Sequence, residues 1–327
     1  MADLSTKYLG IPLKNPLIVG SSHLTASVDR VKACEDAGAG AVVLKSLFEE
    51  QINLDLSKDL DGASDMGFSD GYDFLVEANK SHHLDTYLGL VEECKAKTDI
   101  PIIASVNCVS DGTWLDYAKK FEVIGADALE LNCFVIPGDV KRDAASFEDV
   151  YLSIAETVKK QINIPVAMKI TPHFTDMARM IQRLADTGLD GVVTFNRLYR
   201  PDVDIENLKM KHAPVLSASQ EAYQTLQWIA LLSGEIEIDF CAATGIHEGE
   251  GFVKQLLVGA KAVQMCSAVI KDGTPVIQQT LDFLNEWMDR KGYGSISDYW
   301  GTLCQESSKN PEIYERAQYV KGLVGIG

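Results

Sequence analysis

Ile124-Gly125-Ala126-Asp127-Ala128-Leu129-Glu130-Leu131-Asn132-Cys133 reads as a helix end, a glycine turn and a short apolar strand that finishes on an amide and a thiol. The same pattern returns as Ala37-Gly38-Ala39-Gly40-Ala41-Val42-Val43-Leu44, as Thr187-Gly188-Leu189-Asp190-Gly191-Val192-Val193, and as Val258-Gly259-Ala260-Lys261-Ala262-Val263-Gln264-Met265. Glycine just past a helix supplies a left-handed cap, and the short run after it suits a strand buried on both faces. Four copies of one helix–glycine–strand unit predict a repeated βα architecture.

Working outward, strands are predicted over 17–20, 41–45, 102–106, 128–132, 166–170, 191–195, 238–242 and 262–265. Pro101 and Pro165 each precede a strand, where a missing N–H costs no ladder bond. Helical patterns separate the strands, over 28–37, 84–97, 113–124, 147–161, 176–187, 220–232, 249–257 and 275–290. Eight strands alternating with helices give a (β/α)8 barrel of the TIM type, an α/β fold. The expectation is one domain over 1–327, with a barrel core over 16–291 preceded by an N-terminal hairpin. Residues 48–83 follow strand two as a long connection on the catalytic rim, too apolar for a linker, and are expected to cover the site. Residues 292–327 form a C-terminal extension with a packing or subunit-contact role.

Composition narrows the function classes. Hydrophobic residues make up 46% of the chain, enough for a large core, yet no apolar run reaches the ~18 residues of a membrane span. The net charge of -17 opposes binding to nucleic acid, whose phosphates reward clustered Lys and Arg. The opening Met1-Ala2-Asp3-Leu4-Ser5 lacks a secretory pattern, and seven cysteines without CxxC spacing fit reduced thiols in a cytoplasm. The six histidines do not cluster with them, so no metal site is expected.

Strand ends in such a barrel feed the active site. Here they carry Ser21-Ser22, Lys45-Ser46, Asn107, Asn132-Cys133, Lys169, Asn196-Arg197, Thr244-Gly245 and Cys266-Ser267. Two lysines facing one cavity point to an anionic or electron-rich ligand. The small-residue turns Ala243-Thr244-Gly245 and Cys266-Ser267, each before a helix, suit the phosphate site that barrels place after strands seven and eight. For Cys133 the competing reading is a buried structural cysteine.

These motifs, in this order, make the chain resemble the dihydroorotate dehydrogenase-like flavoproteins. Tyr8-Leu9-Gly10-Ile11-Pro12-Leu13-Lys14-Asn15-Pro16-Leu17-Ile18 is similar to the family's opening hairpin, and Leu44-Lys45-Ser46 to its strand-two Thr-Lys-Ser. Asp65-Met66-Gly67-Phe68 falls at its substrate loop, and Glu130-Leu131-Asn132-Cys133 with Pro137-Gly138 at its cysteine motif. Ala167-Met168-Lys169-Ile170-Thr171-Pro172 and Phe195-Asn196 complete the set.

The resemblance implies FMN as cofactor, dihydroorotate oxidation to orotate, and a homodimer of the soluble branch. It makes Cys133 the base and Lys169 the group beside the flavin N1–C2 edge. Flavin contacts would come from Ser21, Ser22, Lys45, Ser46, Asn107, Asn132, Lys169, Phe195, Ser217, Ala218, Thr244, Gly245, Cys266 and Ser267. Substrate would meet Lys45, Ser64, Met66, Gly67, Phe68, Asn132, Asn196 and Arg197. The electron acceptor is not legible in the sequence.

Departures gather on the substrate side. Two residues are missing between Asn132 and Cys133, Val135 and Ser64 replace asparagines, and Arg197 replaces a small hydroxyl residue. The phosphate turns are also poorer in glycine, at Leu216-Ser217-Ala218 and Ala243-Thr244. A related flavin barrel acting on another small carbonyl compound is therefore an alternative. A Schiff-base lyase using Lys169 and a non-catalytic flavin-binding barrel are the others.

Overall fold

The computed structural model describes residues 2–49, 84–110, 115–197, 200–315, 320, 322, 324 and 325. The chain opens with an antiparallel hairpin of β1 (Thr6–Tyr8) and β2 (Ile11–Leu13). The barrel begins with β3 (Leu17–Val19) and β4 (Ala41–Val43). A short β5 (Leu47–Phe48) precedes β6 (Ile102–Cys108), β7 (Ala128–Cys133), β8 (Val166–Ile170) and β9 (Gly191–Thr194). An exposed antiparallel hairpin of β10 (Pro201–Asp204) and β11 (Lys209–His212) interrupts the alternation, and β12 (Asp239–Ala242) and β13 (Ala262–Met265) finish it. Parallel pairing runs β4-β3-β13-β12-β9-β8-β7-β6, and β6 pairs with β4, so eight strands close a ring. This is the (β/α)8 barrel.

Helices between the strands pack outside the ring. Met177–Asp186 shows why these segments fold so: Met177, Met180, Ile181 and Leu184 recur at helical spacing and are buried, and Asp176 accepts from Arg179 N. Gly38, Gly125, Gly188 and Gly259, the glycines of the repeated unit, all have φ between 87° and 108°. That left-handed turn disfavours any side chain.

Two of the repeats share a further device. Asp127 Oδ2 accepts from Ile102 N at 2.7 Å and Asp190 Oδ2 from Val166 N at 2.8 Å, each clamping the start of the preceding strand. Lys95 and Lys159, from the preceding helices, complete the two clamps at 2.6 Å.

Side chains alternate along each strand, so one set fills the barrel and the other meets the helices. In β7, Leu129, Leu131 and Cys133 join the large cluster between strands and helices, whereas Ala128 joins a second cluster with Tyr8, Leu9 and Leu13. That second cluster is the barrel floor, closed by the N-terminal hairpin. Leu9 N donates to Asp239 Oδ2 at 2.7 Å, and a Cβ at Gly191 would lie 2.4 Å from Leu9 Cδ2.

Three local differences from the sequence expectation matter. The second barrel strand is broken: Val43 pairs with Ile103 but Leu47 with Val106, so 44–46 carries one residue more than its partner, a bulge. The bulge re-aims Lys45 and Ser46 at the barrel mouth. The strand expected over 128–132 continues through Cys133, in register with Cys108. The hairpin of β10 and β11 had no counterpart in the sequence reading.

In the C-terminal extension, Trp300 Nε1 donates to Ala260 O, and Gly301 N and Leu303 N donate to Leu256 O and Leu257 O. This segment packs on the barrel. The expected cover segment over 48–83 lies outside the described residues from 50 onward. Among the described residues no helix is long and apolar enough to cross a membrane.

Candidate active site

A cavity of about 530 Å³ opens at the C-terminal ends of the strands, within the usual range for a small-molecule or cofactor site. It is lined by Ser21, Ser22, Lys45, Ser46, Asn107, Asn132, Lys169, Asn196, Arg197, Ser217, Thr244, Gly245, Cys266 and Ser267, so these expected residues meet in one place. His23, Phe48, Ile246, Gln264 and Ile270 line it as well and were missed in the sequence.

On one side a hydroxyl network is built below the bulge. Ser21 Oγ lies 3.1 Å from Ser46 Oγ, which lies 2.8 Å from Ser105 Oγ. Asn132 Nδ2 donates to Ser46 Oγ at 3.0 Å and to Ser105 Oγ at 2.7 Å. The Asn132 amide N–H groups are thus spent on two serines, and the residue orients Ser46. Burial pulls the Lys45 ammonium below the ordinary lysine value.

The opposite wall carries Lys169, whose Nζ donates to Gln264 Oε1 at 2.8 Å and stands 3.9 Å from Glu130 Oε1. Gln264 Nε2 in turn donates to Glu130 Oε2. Glu130 is only 1% exposed, and its Oε1 has no hydrogen bond. A buried carboxylate is costly unless it is paired, so Glu130 and Gln264 together fix the amine of Lys169 in the cavity wall. Glu130 and Gln264 follow the inward parity of their strands, the signal by which the sequence could have shown them. Asn196 Nδ2 donates to Lys169 O at 3.1 Å and Cys133 O at 3.3 Å, tying three strand ends together.

Several expected residues stand elsewhere. Cys133 is fully buried on the outer face of β7, its Sγ 3.5 Å from that of Cys108, and it does not line the cavity. Strand parity sends its side chain to the helix layer, away from the cavity. The thiol that does line the cavity is Cys266, and burial raises its pKa. Arg197 reaches the cavity but is already paired: Nε lies 3.0 Å from Glu221 Oε2, and Nη1 donates to Pro214 O and Val215 O. It clips the segment after β11 to the barrel instead of presenting an open cation.

Phe195 is buried and lines a neighbouring cavity of about 230 Å³; its carbonyl accepts from Thr244 Oγ1 at 2.9 Å. Ala218 does not line the main cavity, and its N–H donates to Glu221 Oε1. Ser64, Met66, Gly67 and Phe68 lie outside the described residues.

The end of the cavity near β12 and β13 has the chemistry of an anion site. Thr244 and Gly245 have φ of 71° and 82°, two consecutive left-handed residues, and the Gly245 N–H donates to Ser217 Oγ at 3.3 Å. A Cβ at Gly245 would lie 2.2 Å from Ala222 N, so only glycine lets this turn sit against the neighbouring helix. Hydroxyls of Ser217, Thr244 and Ser267 surround the turn. This turn, two lysines and hydroxyl-lined walls in one cavity suit an anionic ligand.

Comparison with known proteins agrees with this architecture. The family model for dihydroorotate dehydrogenase matches residues 3–288. The catalytic subunit of dihydroorotate dehydrogenase B (NAD(+)) from Thermoplasma acidophilum is 28% identical over 319 residues, covering 93% of this chain and 100% of that protein. The protein of the same name from Pyrococcus abyssi is 27% identical, with 91% of this chain and 98% of the relative covered. That from Methanocaldococcus jannaschii is 27% identical over 85% of this chain and 91% of its own. With the closed barrel and the cavity at its strand ends, the match across 3–288 shows that the chain belongs to the dihydroorotate dehydrogenase family.

Proposed function

We propose that this protein is an FMN-dependent dehydrogenase that oxidises dihydroorotate, or a closely related cyclic carbonyl compound, at a CH–CH bond. The observation that carries the reading is the cavity in which Lys169, fixed by Gln264 and Glu130, shares one space with the Thr244-Gly245 turn. Thr244, Gly245, Ser217 and Ser267 would hold the phosphate, and Lys45, Ser46 and Lys169 the ring system. Bound there, FMN would supply the hydride-accepting centre. Lys169 would contribute a fixed donor to the bound ring, where a preorganised charge is worth more than in water. Its Nζ faces two acceptors, Gln264 Oε1 and Glu130 Oε1, which supports an electrostatic role over a Schiff base.

Proton transfer from carbon needs a base. Among the described residues, the titratable side chains lining the cavity are His23, Lys45, Lys169, Arg197 and Cys266. Of these, Lys45, set at the bulge beside Ser46 in the cavity wall, is the candidate proton acceptor; burial lowers its pKa and raises that of Cys266. A second reading keeps the flavin and changes the substrate; the burial of Cys133 and the engagement of Arg197 by Glu221 support it. Anaerobic reduction of the purified protein by dihydroorotate separates the two.

The relatives are named as NAD(+) enzymes and as subunits, so a partner protein that passes electrons to NAD(+) is the acceptor to test first. A second copy of the chain is the expected partner of the β10–β11 hairpin, whose Val203, Ile205, Leu208 and Met210 are exposed. A cytoplasmic location is consistent with this chemistry.

A further inference from the structure

We infer that Ser217 and His247 form the phosphate-recognition pair of this cavity, with His247 acting through Ser217 without touching the ligand. The inference rests on the flavin reading above and deepens it. Ser217 joins three turns that come from three different strand ends. Its N–H donates to Ser267 Oγ at 3.0 Å, its Oγ accepts from Gly245 N at 3.3 Å, and its Oγ lies 3.0 Å from His247 Nε2. Ser217 lines the main cavity. His247 does not; it lines a separate recess of about 50 Å³ behind the turn, beside Tyr223, Glu248 and Lys254.

The hydroxyl's valences decide what this arrangement does. A serine hydroxyl has one proton and two lone pairs. Gly245 N–H takes one lone pair. If Nε2 of His247 is bare, it takes the only proton, and Ser217 shows the cavity nothing that a phosphate can use. If Nε2 carries hydrogen, it donates to the second lone pair, and the Ser217 proton is free to point at a phosphate oxygen. Ser217 can therefore donate to an anion in the cavity only when Nε2 carries hydrogen. The neutral Nε2–H tautomer suffices. These turns are poor in glycine amides, at Leu216-Ser217-Ala218 and Ala243-Thr244, and the Ser217–His247 pair replaces them with an oriented hydroxyl.

The test compares FMN with riboflavin, which lacks the phosphate, by equilibrium binding to flavin-stripped protein. The parent should prefer FMN. His247→Leu should lose FMN affinity by about tenfold or more, the scale of one hydrogen bond to a charged group, while riboflavin affinity stays unchanged. His247→Gln, which places a permanent N–H donor near the position of Nε2, should restore most of the loss. Ser217→Ala should match His247→Leu, and the double variant should be no worse than either. An unchanged FMN affinity in His247→Leu overturns the inference, as does equal loss of riboflavin. Failure of the parent to bind either flavin would instead overturn the flavin reading. If His247→Leu does not fold, Ser217→Ala decides the matter alone, and unaltered FMN binding there contradicts the pairing.

Discussion

Cys133 Sγ lies 3.5 Å from Cys108 Sγ, at matched positions on two adjacent parallel strands and on the face turned away from the barrel. The pair belongs to the core that joins strands to helices. Cys133→Ala should therefore cost about 1 kcal/mol of stability, as a small core truncation does. Flavin reduction by substrate should keep its rate. Stopped-flow measurement checks this, and a fall of ~10²-fold or more would return Cys133 to a general-base role.

Lys169 and Glu130 are predicted to be coupled. Removing the cation in Lys169→Met leaves the Glu130 carboxylate buried with only the Gln264 amide and no cation beside it, a change that typically costs about 3–5 kcal/mol. Adding Glu130→Gln should recover much of that loss. Denaturant unfolding of the two single variants and the double variant gives the coupling energy directly, and strict additivity would contradict the pairing.

The aspartate clamps of the repeated unit should show in stability alone. Asp127→Ala strips the acceptor from Ile102 N and from Lys95, and leaves a strand amide unsatisfied. The expected loss is about 1–3 kcal/mol with flavin content intact. Unfolding midpoints, read alongside the flavin absorbance of the folded protein, distinguish this from damage at the site.

The exposed hairpin should govern association. Leu208, at 86% exposure, stands in its connecting turn, and Met210 pairs with Val203 across it. Leu208→Glu should shift a dimer toward monomer in sedimentation velocity while leaving the unfolding midpoint of the monomer unaltered. A protein whose mass in solution is the same before and after the substitution would argue that this hairpin makes no contact between copies.

Much of the barrel was legible because its signal is repeated and local. Each helix–glycine–strand unit carries its own left-handed turn, and four of them fix the alternation. The cavity was legible for the same reason, since residues just past each strand must face its mouth. What escaped depends on pairing between distant segments. The bulge at 44–46 exists only relative to β6. The orientation of Cys133 turns on whether β7 ends one residue earlier, because strand parity reverses at every step. Read as the first residue of a loop, Cys133 faces the cavity; in register with Cys108, its side chain faces the helix layer. The β10–β11 hairpin is exposed on both strands, so it leaves no hydrophobic alternation to read. The pairing of Arg197 was not legible because its partner Glu221 lies 24 residues away.

The central claim is that the cavity around Lys169 holds a flavin which dihydroorotate reduces. Anaerobic titration of the flavin-loaded protein with dihydroorotate, followed by visible absorbance, tests it most directly. Stoichiometric bleaching of the flavin band is the expected result, slowed in Lys45→Met. A band that dithionite bleaches but dihydroorotate leaves untouched would contradict it.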